Sequence, residues 1–196
     1  KYVLTMDQDS KCANNIIDIY MQNERDDVII YSPKYLIERK KEKKYKSDTI
    51  EMYWTMTSGN LLNLELYQKV GEFKEEFFID AVDYEYCLRA RREKFKILQC
   101  NNALLIHNPG ITKEKNILGL KYKYGFMSEQ RMYYQVRNLM YVVRDYKSIR
   151  ALIIVWVKYL KILLLFENKK NYFKAFHKGI KDYKKNIKGK YIQENG

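Results

Sequence analysis

The sequence is poor in the residues that mark linker, fibrous and disulfide-rich proteins. It has two prolines and eight glycines among 196 residues, too few for a collagen-like chain or a flexible linker. Its three cysteines, Cys12, Cys87 and Cys100, form neither an even set nor a C-x-x-C pair. Neither a disulfide framework nor a zinc site is therefore indicated, and we interpret them as reduced thiols of a cytosolic chain. Apolar residues make up 46% of the chain, which excludes a disordered protein and predicts one globular domain, with or without an appendage.

Positive charge is concentrated in the C-terminal part of the chain. The net charge is +13, which predicts an anionic partner: nucleic acid, a phosphorylated ligand or an anionic membrane surface. From Arg144 to Gly196 there are fourteen Lys and Arg against four Asp and Glu, so the remaining residues carry only +3. A second basic stretch, Lys34–Lys46, is interpreted as a solvated loop.

Apolar periodicity predicts alternating strands and helices in the first part of the chain, the pattern of an α/β fold. The predicted strands are 2–6, 28–31, 50–56 and 95–106, and the predicted helices are 10–22, 61–70 and 83–94. A turn is predicted at Ser58-Gly59-Asn60. We expect this region to occupy residues 1–126.

Residues 127–196 are predicted to be a helical region. Its helices are expected at 128–146, 149–166 and 169–187, the last with an aromatic side and a lysine side. No window reaches the roughly 18 uninterrupted apolar residues that a transmembrane helix needs. Two interpretations of the last helix stay open. Its apolar side lies in an anionic bilayer interface, giving peripheral attachment at the inner face of the plasma membrane, or it packs on the helix that begins at Ile149.

Two close carboxylates follow the first predicted strand. In an extended segment Asp7 and Asp9 point to the same side, at the strand end where α/β folds place their sites. A cation between them would relieve their repulsion, and oxygen ligands suit Mg²⁺ or Mn²⁺. The alternative is that Asp9 or Ser10 caps the following helix.

A second acidic cluster contains Asp80, Asp83 and Glu85. Acidic residues are favoured near a helix N-terminus by its dipole, which is one explanation of the cluster. The neighbouring aromatic residues Phe77 and Phe78 suggest another, because burial beside them would raise the pKa of a carboxylate toward that of a general base.

A single histidine ends the last predicted strand. His107 is followed by Asn108-Pro109-Gly110. A neutral imidazole is a common metal ligand, but a lone histidine is also often structural, and spacing does not distinguish the two.

Taken in order, these segments resemble the family 2 glycosyltransferases of the GT-A fold, most closely the bacterial rhamnosyltransferase-like branch. The likeness runs from Lys1 to about Asn138. The segments that carry it are Leu4-Thr5-Met6-Asp7-Gln8-Asp9-Ser10, Thr57-Ser58-Gly59-Asn60-Leu61, Phe77 to Arg89, His107 to Gly110, and Tyr133-Tyr134-Gln135-Val136-Arg137-Asn138.

The resemblance implies a role for each matched residue. Asp9 would ligate the cation that bridges the donor diphosphate, Asp7 would lie nearer the ribose, and His107 would reach the cation or diphosphate from the other side. Asp83 matches the general base that deprotonates the acceptor hydroxyl. The residues implied to support the base or bind the acceptor are Asp80, Glu85, Arg89, Ser58 and Gly59. Arg137 is implied to pair with phosphate, although a buried helix cap or ion pair is an equal alternative.

The implied reaction is inverting sugar transfer in cell-surface polysaccharide synthesis. The donor would be a dTDP- or UDP-sugar, with rhamnose as the family-level expectation, the acceptor a glycan or lipid-linked sugar, and the cofactor Mg²⁺ or Mn²⁺. Because the family's nucleotide-binding strands precede the D-x-D strand with which this sequence begins, we expect a fragment that lacks that portion. The alternatives are a catalytically silent relative and a basic module that binds nucleic acid, for which no recognisable motif is present.

Overall fold

The computed structural model describes residues 1–108, 110–117 and 119–191. Pro109, in the predicted turn after His107, and residues 192–196 of the predicted helical region lie outside the described residues. The chain forms two compact units. The first contains residues 1–72 and 86–126, and the second contains residues 73–85 together with the chain from residue 127 onward. Segment 73–85, which the sequence analysis assigned to the first region, thus groups with the C-terminal helices.

Helices lie between groups of strands along the first unit, which confirms the α/β prediction. The elements of the whole chain are β1 (Tyr2–Thr5), β2 (Ser10–Cys12), α1 (Ile16–Gln22), β3 (Val28–Leu36), β4 (Thr49–Met52), β5 (Asn60–Asn63), α2 (Leu64–Val70), α3 (Val82–Arg92), β6 (Lys96–His107), β7 (Ile111–Ile117), β8 (Leu120–Phe126), α4 (Glu129–Tyr146), α5 (Ile149–Leu164) and α6 (Lys169–Lys184). A short 3₁₀ helix, Glu75–Phe77, precedes α3.

The first unit is built on a mixed six-stranded sheet. Its strand order is β1-β5-β3-β6-β2, and β4 also pairs with β6. Only β3 and β6 run parallel; the other pairs are antiparallel. Strands β4 and β2 both pair with β6 but at different positions: β4 pairs with residues 97–100 and β2 with residues 105–107. Strands β7 and β8 form a separate hairpin.

The core of the first unit lies where helix α1 packs on this sheet. Tyr20 of α1 is completely buried, and its hydroxyl donates a hydrogen bond to the backbone oxygen of Gly59 at 2.7 Å. In the second half of β6 the side chains alternate, with Ala103, Leu105 and His107 buried and Leu104 and Ile106 exposed. This alternation brings His107 to the buried face of its strand.

Two helices begin later in the chain than predicted. Residues 10–12 form β2 rather than the start of a helix, because they pair with the end of β6. Residues 60–63 form β5, held between β1 and β3, and the helix begins only at Leu64 with Asn63 as its cap. The hairpin of β7 and β8 was not predicted.

The second unit consists mainly of α4, α5 and α6. Helix α6 packs closely on α4 at Gly179, where a Cβ atom would lie 2.8 Å from the backbone oxygen of Tyr133. Tyr172 and Phe176 of α6 are buried, and the ring of Tyr159 on α5 contacts Phe176. The aromatic side of α6 is therefore packed within the unit, mainly on α4 and in part on α5, the helix that the second interpretation named. None of the described helices is long and apolar enough to cross a membrane.

Candidate functional site

Two aspartates and a histidine of the first unit form a cluster of possible metal ligands. Asp7, Asp9 and His107 each offer one ligand atom, and these atoms all lie within 4.8 Å of one another. Asp7 Oδ2 is 3.9 Å from His107 Nε2, and Asp9 Oδ1 is 3.6 Å from Nδ1. The carboxylates are 54% exposed, whereas the imidazole is 5% exposed. A fixed nitrogen ligand thus faces two carboxylates that can rotate to close on a cation.

Strand pairing brings these residues together although they are a hundred positions apart. A turn connects β1 to β2, with the Ser10 amide donating a hydrogen bond to the Asp7 backbone oxygen at 3.2 Å. Ser10 then pairs with His107 in the β2–β6 register. The sheet therefore fixes the distance between the acidic turn and the imidazole.

Two serines orient the cluster from within. The Oγ of Ser10 is 2.8 Å from His107 Nδ1 and 2.7 Å from the Oγ of Ser58. Ser58 Oγ also accepts a hydrogen bond from the Asp7 amide at 3.1 Å. When Nδ1–H is the donor to Ser10, Nε2 keeps its lone pair for a cation, which is how outer partners fix the tautomer of metal-binding histidines.

The glycine after Ser58 allows this arrangement. Gly59 has φ +78°, and a Cβ atom there would lie 2.9 Å from Pro33 Cγ and 3.0 Å from Leu105. Its amide donates to the backbone oxygen of Thr5 at 2.7 Å. Gly59 therefore lets the loop that carries Ser58 approach the sheet closely.

The helix-cap alternative for the acidic pair is wrong. Helix α1 begins at Ile16, its N-terminal flanking residue is Asn15, and no side chain caps it. Asp9 lies in the turn and Ser10 in β2, so neither residue reaches the start of α1. The geometry leaves Asp7 and Asp9 beside an imidazole without a capping role.

The donor set fits a divalent cation. Two carboxylates and one imidazole offer the oxygen-rich, partly exposed environment that suits Mn²⁺ and Mg²⁺ better than a thiolate-preferring metal. Cys12 is exposed nearby in sequence, but it is not one of the clustered residues. The residues present therefore agree with the expected cofactor.

The predicted base belongs to the second unit, in the first turn of α3. Asp83 is half-buried, and its Oδ1 accepts a hydrogen bond from the Tyr84 amide at 2.9 Å. The turn before it is strained: Phe78, Asp80 and Ala81 have φ between +62° and +65°. Non-glycine residues adopt this conformation only when surrounding contacts hold it, and such strain clusters at functional sites.

Asn138 of α4 holds that turn. Its Nδ2 donates hydrogen bonds to the backbone oxygens of Phe77 (2.8 Å), Ile79 (2.8 Å) and Asp80 (2.9 Å). The side chain is fully buried. Asn138 belongs to a segment that carries the family resemblance, but its positioning role is not apparent from the sequence.

The other acidic residues of this cluster make structural ion pairs. Asp80 accepts hydrogen bonds from Arg131 at 2.6 and 3.1 Å and from Gln135 at 3.0 Å. The carboxylate of Glu85 is completely buried, with Lys74 at 3.1 Å and the Tyr146 hydroxyl as its partners. These contacts support an indirect role for both residues rather than contact with an acceptor.

The two arginines of the matched segments also stabilise the fold. In the first unit, the Arg89 guanidinium donates to the backbone oxygens of Val70 (2.8 Å) and Glu72 (2.7 Å), at and beyond the end of α2. In the second unit, Arg137 is completely buried and donates to Asn138 Oδ1 at 3.0 Å and to the Gly189 oxygen at 2.8 Å. Its surroundings favour the structural alternative over pairing with phosphate.

Tyr35 is a site residue that sequence reasoning missed. Its hydroxyl donates to the backbone oxygens of Met56 and Ser58, both at 2.9 Å, and its ring centroid is 6.4 Å from that of His107. The residue was assigned to the basic loop, whereas β3 continues to Leu36. The apolar residues Tyr35, Leu36 and Ile37 were the signal that the strand continued.

Two curated proteins are similar to part of this chain. A dTDP-rhamnosyl transferase of Shigella flexneri is 30% identical over 125 residues, covering 61% of this chain and 41% of that protein. A low-salt glycan biosynthesis hexosyltransferase of Haloferax volcanii is 28% identical over 78 residues, covering 40% and 22%. No family model and no solved structure matches the chain. The matched regions span less than half the length of either relative, and these partial similarities support a relationship to glycosyltransferases.

Proposed function

We propose that this chain carries the metal-binding and acceptor-activating residues of an inverting, GT-A-type glycosyltransferase of family 2. The observation that carries the proposal is the cluster of Asp7, Asp9 and His107, whose ligand atoms lie within 4.8 Å of one another directly after a sheet strand. Its support from outside the molecule is the similarity to a rhamnosyl transferase and a hexosyltransferase. The donor would be a nucleoside-diphosphate sugar, and dTDP-rhamnose is the first to test.

In this proposal the three clustered residues hold Mg²⁺ or Mn²⁺. The bound cation would supply positive charge that stabilises the leaving diphosphate. Asp7 and Asp9 contribute the carboxylate oxygens, and His107 contributes Nε2 while Ser10 occupies Nδ1. Ser58 holds the backbone of Asp7 and the hydroxyl of Ser10, which keeps the ligands in place before a donor arrives.

Asp83 accepts the proton of the acceptor hydroxyl. As that proton moves to the carboxylate, the hydroxyl oxygen forms a bond to the anomeric carbon and the bond from this carbon to the diphosphate oxygen breaks. The electron pair leaves with the nucleoside diphosphate. Because the hydroxyl attacks from the face opposite the leaving group in a single displacement, the anomeric centre is inverted and one base suffices. Asn138 and the pairs made by Asp80 and Glu85 fix the turn and helix that present Asp83.

Direct Mn²⁺ binding tests the metal site. Free Mn²⁺ is measured by electron paramagnetic resonance during titration of the chain, of Asp9→Asn and of Asp18→Asn. Asp18 is an exposed aspartate on α1, outside the cluster, and serves as the matched control. We expect a loss of at least tenfold in affinity for Asp9→Asn and none for Asp18→Asn. Equal affinity for the two variants would contradict the metal site.

Sugar transfer tests the activity and is measured on the full-length native protein that contains these residues. We expect turnover of a dTDP- or UDP-sugar to stop in EDTA and to return with excess Mn²⁺ or Mg²⁺. Turnover that is unchanged in EDTA would overturn the metal-dependent mechanism. Absence of transfer with every donor, despite tight Mn²⁺ binding, would favour a catalytically silent relative.

A further inference from the structure

Most residues of helix α5 in the second unit are apolar, yet only one side of the helix is buried. Ala151, Val155 and Ile162 point inward and are at most 6% exposed. The opposite side, here called the outer face, consists of large apolar residues that are 38% to 73% exposed: Ile149, Leu152, Ile153, Trp156, Val157, Leu160, Leu163 and Leu164. At 3.6 residues per turn these side chains cover an arc of about 140°. The outer face is thus one continuous strip along the whole helix.

A strip of this kind marks an interaction surface. Contiguous exposed apolar patches indicate contact with a protein or a membrane. Helix α6 offers no comparable surface, since its Tyr172 and Phe176 are packed inside the unit. The apolar surface that the sequence assigned to the last helix is therefore found on α5.

The charge around the outer face indicates what covers it. From Lys147 to Lys170 the chain has six Lys and Arg and a single acidic residue, Glu167. Lys147, Lys169 and Lys170, beyond the two ends of α5, are exposed, and α5 itself has no acidic residue. Positive charge at both ends of an apolar strip is complementary to an anionic surface, whereas two copies of this strip would repel each other.

We propose that the outer face of α5 docks on an anionic lipid bilayer, with the helix lying in the plane of the interface. The 16 residues of α5 span about 24 Å, less than a transmembrane helix of about 20 residues needs. Trp156, 61% exposed near the middle of the strip, is a residue type that favours the membrane–water boundary. The flanking lysines would bind lipid headgroups while the strip enters the acyl boundary. This proposal does not rest on the proposed activity.

Trp156 provides a direct reporter of docking. The chain has two tryptophans, so Trp54→Phe leaves Trp156 as the single tryptophan, which is excited selectively at wavelengths that tyrosine does not absorb. The full 196-residue chain with this substitution is mixed with vesicles of phosphatidylcholine alone or with 30% phosphatidylglycerol. We expect sedimentation with the anionic vesicles, a blue shift of the emission, and at least tenfold weaker binding to neutral vesicles or in high salt. A chain that stays in the supernatant with anionic vesicles overturns the proposal.

A matched pair of double variants shows whether the outer face is responsible. Ile153→Ser with Leu160→Ser removes two exposed apolar side chains from the outer face, and Ile111→Ser with Leu120→Ser removes two from the β7–β8 hairpin. We expect at least tenfold weaker vesicle binding for the first pair only, with both proteins equally resistant to urea. Equal binding by both pairs overturns the proposal. The proposal is also overturned if Ile153→Ser with Leu160→Ser converts a dimer to a monomer without weakening vesicle binding, because a second copy of the chain would then occupy the outer face.

Discussion

Ser10 and His107 face each other across the β2–β6 ladder, and the serine hydroxyl lies 2.8 Å from Nδ1 of the imidazole. With Nδ1 held by the serine, Nε2, 3.9 Å from Asp7 Oδ2, is the nitrogen whose lone pair is left for a cation. The serine hydroxyl also connects the imidazole to Ser58, and through Ser58 to the backbone of Asp7. The metal ligands are therefore oriented by a short chain of hydroxyl groups inside the sheet.

Loss of that hydroxyl should weaken metal binding without unfolding the protein. We expect Ser10→Ala to lower Mn²⁺ affinity by about 10- to 100-fold, the usual cost of removing a partner that orients a ligand. Cys12→Ser, an exposed change two residues along the same strand, is the control. Mn²⁺ titration followed by electron paramagnetic resonance measures both. Wild-type affinity in Ser10→Ala would show that the sheet alone orients His107.

Removal of the base should stop transfer and leave metal binding intact. We expect Asp83→Asn to lower the turnover number by about 100-fold or more, because a positioned base contributes at least this factor. Mn²⁺ affinity should not change, since Asp83 is not among the clustered ligands. Steady-state kinetics of the full-length native protein with a saturating donor provide the measurement. An active Asp83→Asn enzyme would show that Asp83 is not the base.

Loss of Asn138 should destabilise the turn that precedes Asp83. Asn138→Ala leaves the backbone oxygens of Phe77, Ile79 and Asp80 without this donor, and each buried acceptor that loses a partner costs about 1 to 3 kcal/mol. We expect the free energy of unfolding in urea to fall by at least about 2 kcal/mol. Asn171→Ala, at an exposed position of α6, should change it by less than about 0.5 kcal/mol. Equal effects would mean that the strained turn is stable without Asn138.

Alanine variants of two glycines with positive φ distinguish the cost of steric crowding from the cost of backbone strain. A Cβ atom at Gly59 would lie 2.9 Å from Pro33 Cγ, whereas at Gly119 nothing lies within 4 Å. The left-handed conformation destabilises both alanine variants by about 1 kcal/mol. Only Gly59→Ala must also displace neighbouring atoms. We expect Gly59→Ala to be the less stable by about 1 to 3 kcal/mol in urea unfolding and to bind Mn²⁺ more weakly. Similar stability of the two variants would show that the loop carrying Ser58 yields easily.

Lys158 of α5, which is half-buried, should make stability depend on pH. Burial lowers the pKa of Lys158 to about 8; the Asp80 carboxylate partly offsets this, and Lys161 and Arg131 reinforce it. Below pH 8 the folded and unfolded chains both carry the proton, so the folded state bears the full cost of the buried charge. Between about pH 8 and 10 only the unfolded chain keeps it, and the lysine's contribution to stability rises with pH.

Lys158→Met should therefore be more stable than the wild type at pH 7, by about 1 kcal/mol or more, and the difference should shrink as the pH rises from 8 to 10. Lys174→Met, at an exposed lysine of α6, is the control and should show no such trend. Urea unfolding at each pH measures the difference. If the difference in the free energy of unfolding between Lys158→Met and the wild type does not vary with pH, the pKa of Lys158 is not lowered.

Local pattern predicted the long elements and failed where distant pairing decides the structure. The residues of β6 and of the three C-terminal helices carry enough periodicity to be recognised alone. Ser10–Cys12 is a strand only because β6 lies beside it, and Asn60–Asn63 only because β1 and β3 do. Neither segment has a residue pattern that identifies the strand with which it pairs.

The candidate site shows the same division. The acidic pair and His107 were predicted to act together, and the structure places them together. The structural pairing of Asp80 and Glu85 was not predictable, because their partners Arg131 and Tyr146 are 51 and 61 residues away. The family resemblance thus grouped the candidate ligands, while the contacts that support them depend on the fold.

The brevity of β2 has a consequence for hydrogen exchange. Three residues, Ser10–Cys12, form the outermost strand beside the end of β6, and so short an edge strand opens readily to solvent. Each opening would separate Ser10 from His107 and the acidic turn from the imidazole. A cation held by Asp7, Asp9 and His107 would bind only the closed strand, so its binding would slow deuterium uptake by the backbone amides of Ser10–Cys12 that pair with β6. The strand end would then become ordered in step with the filling of the site.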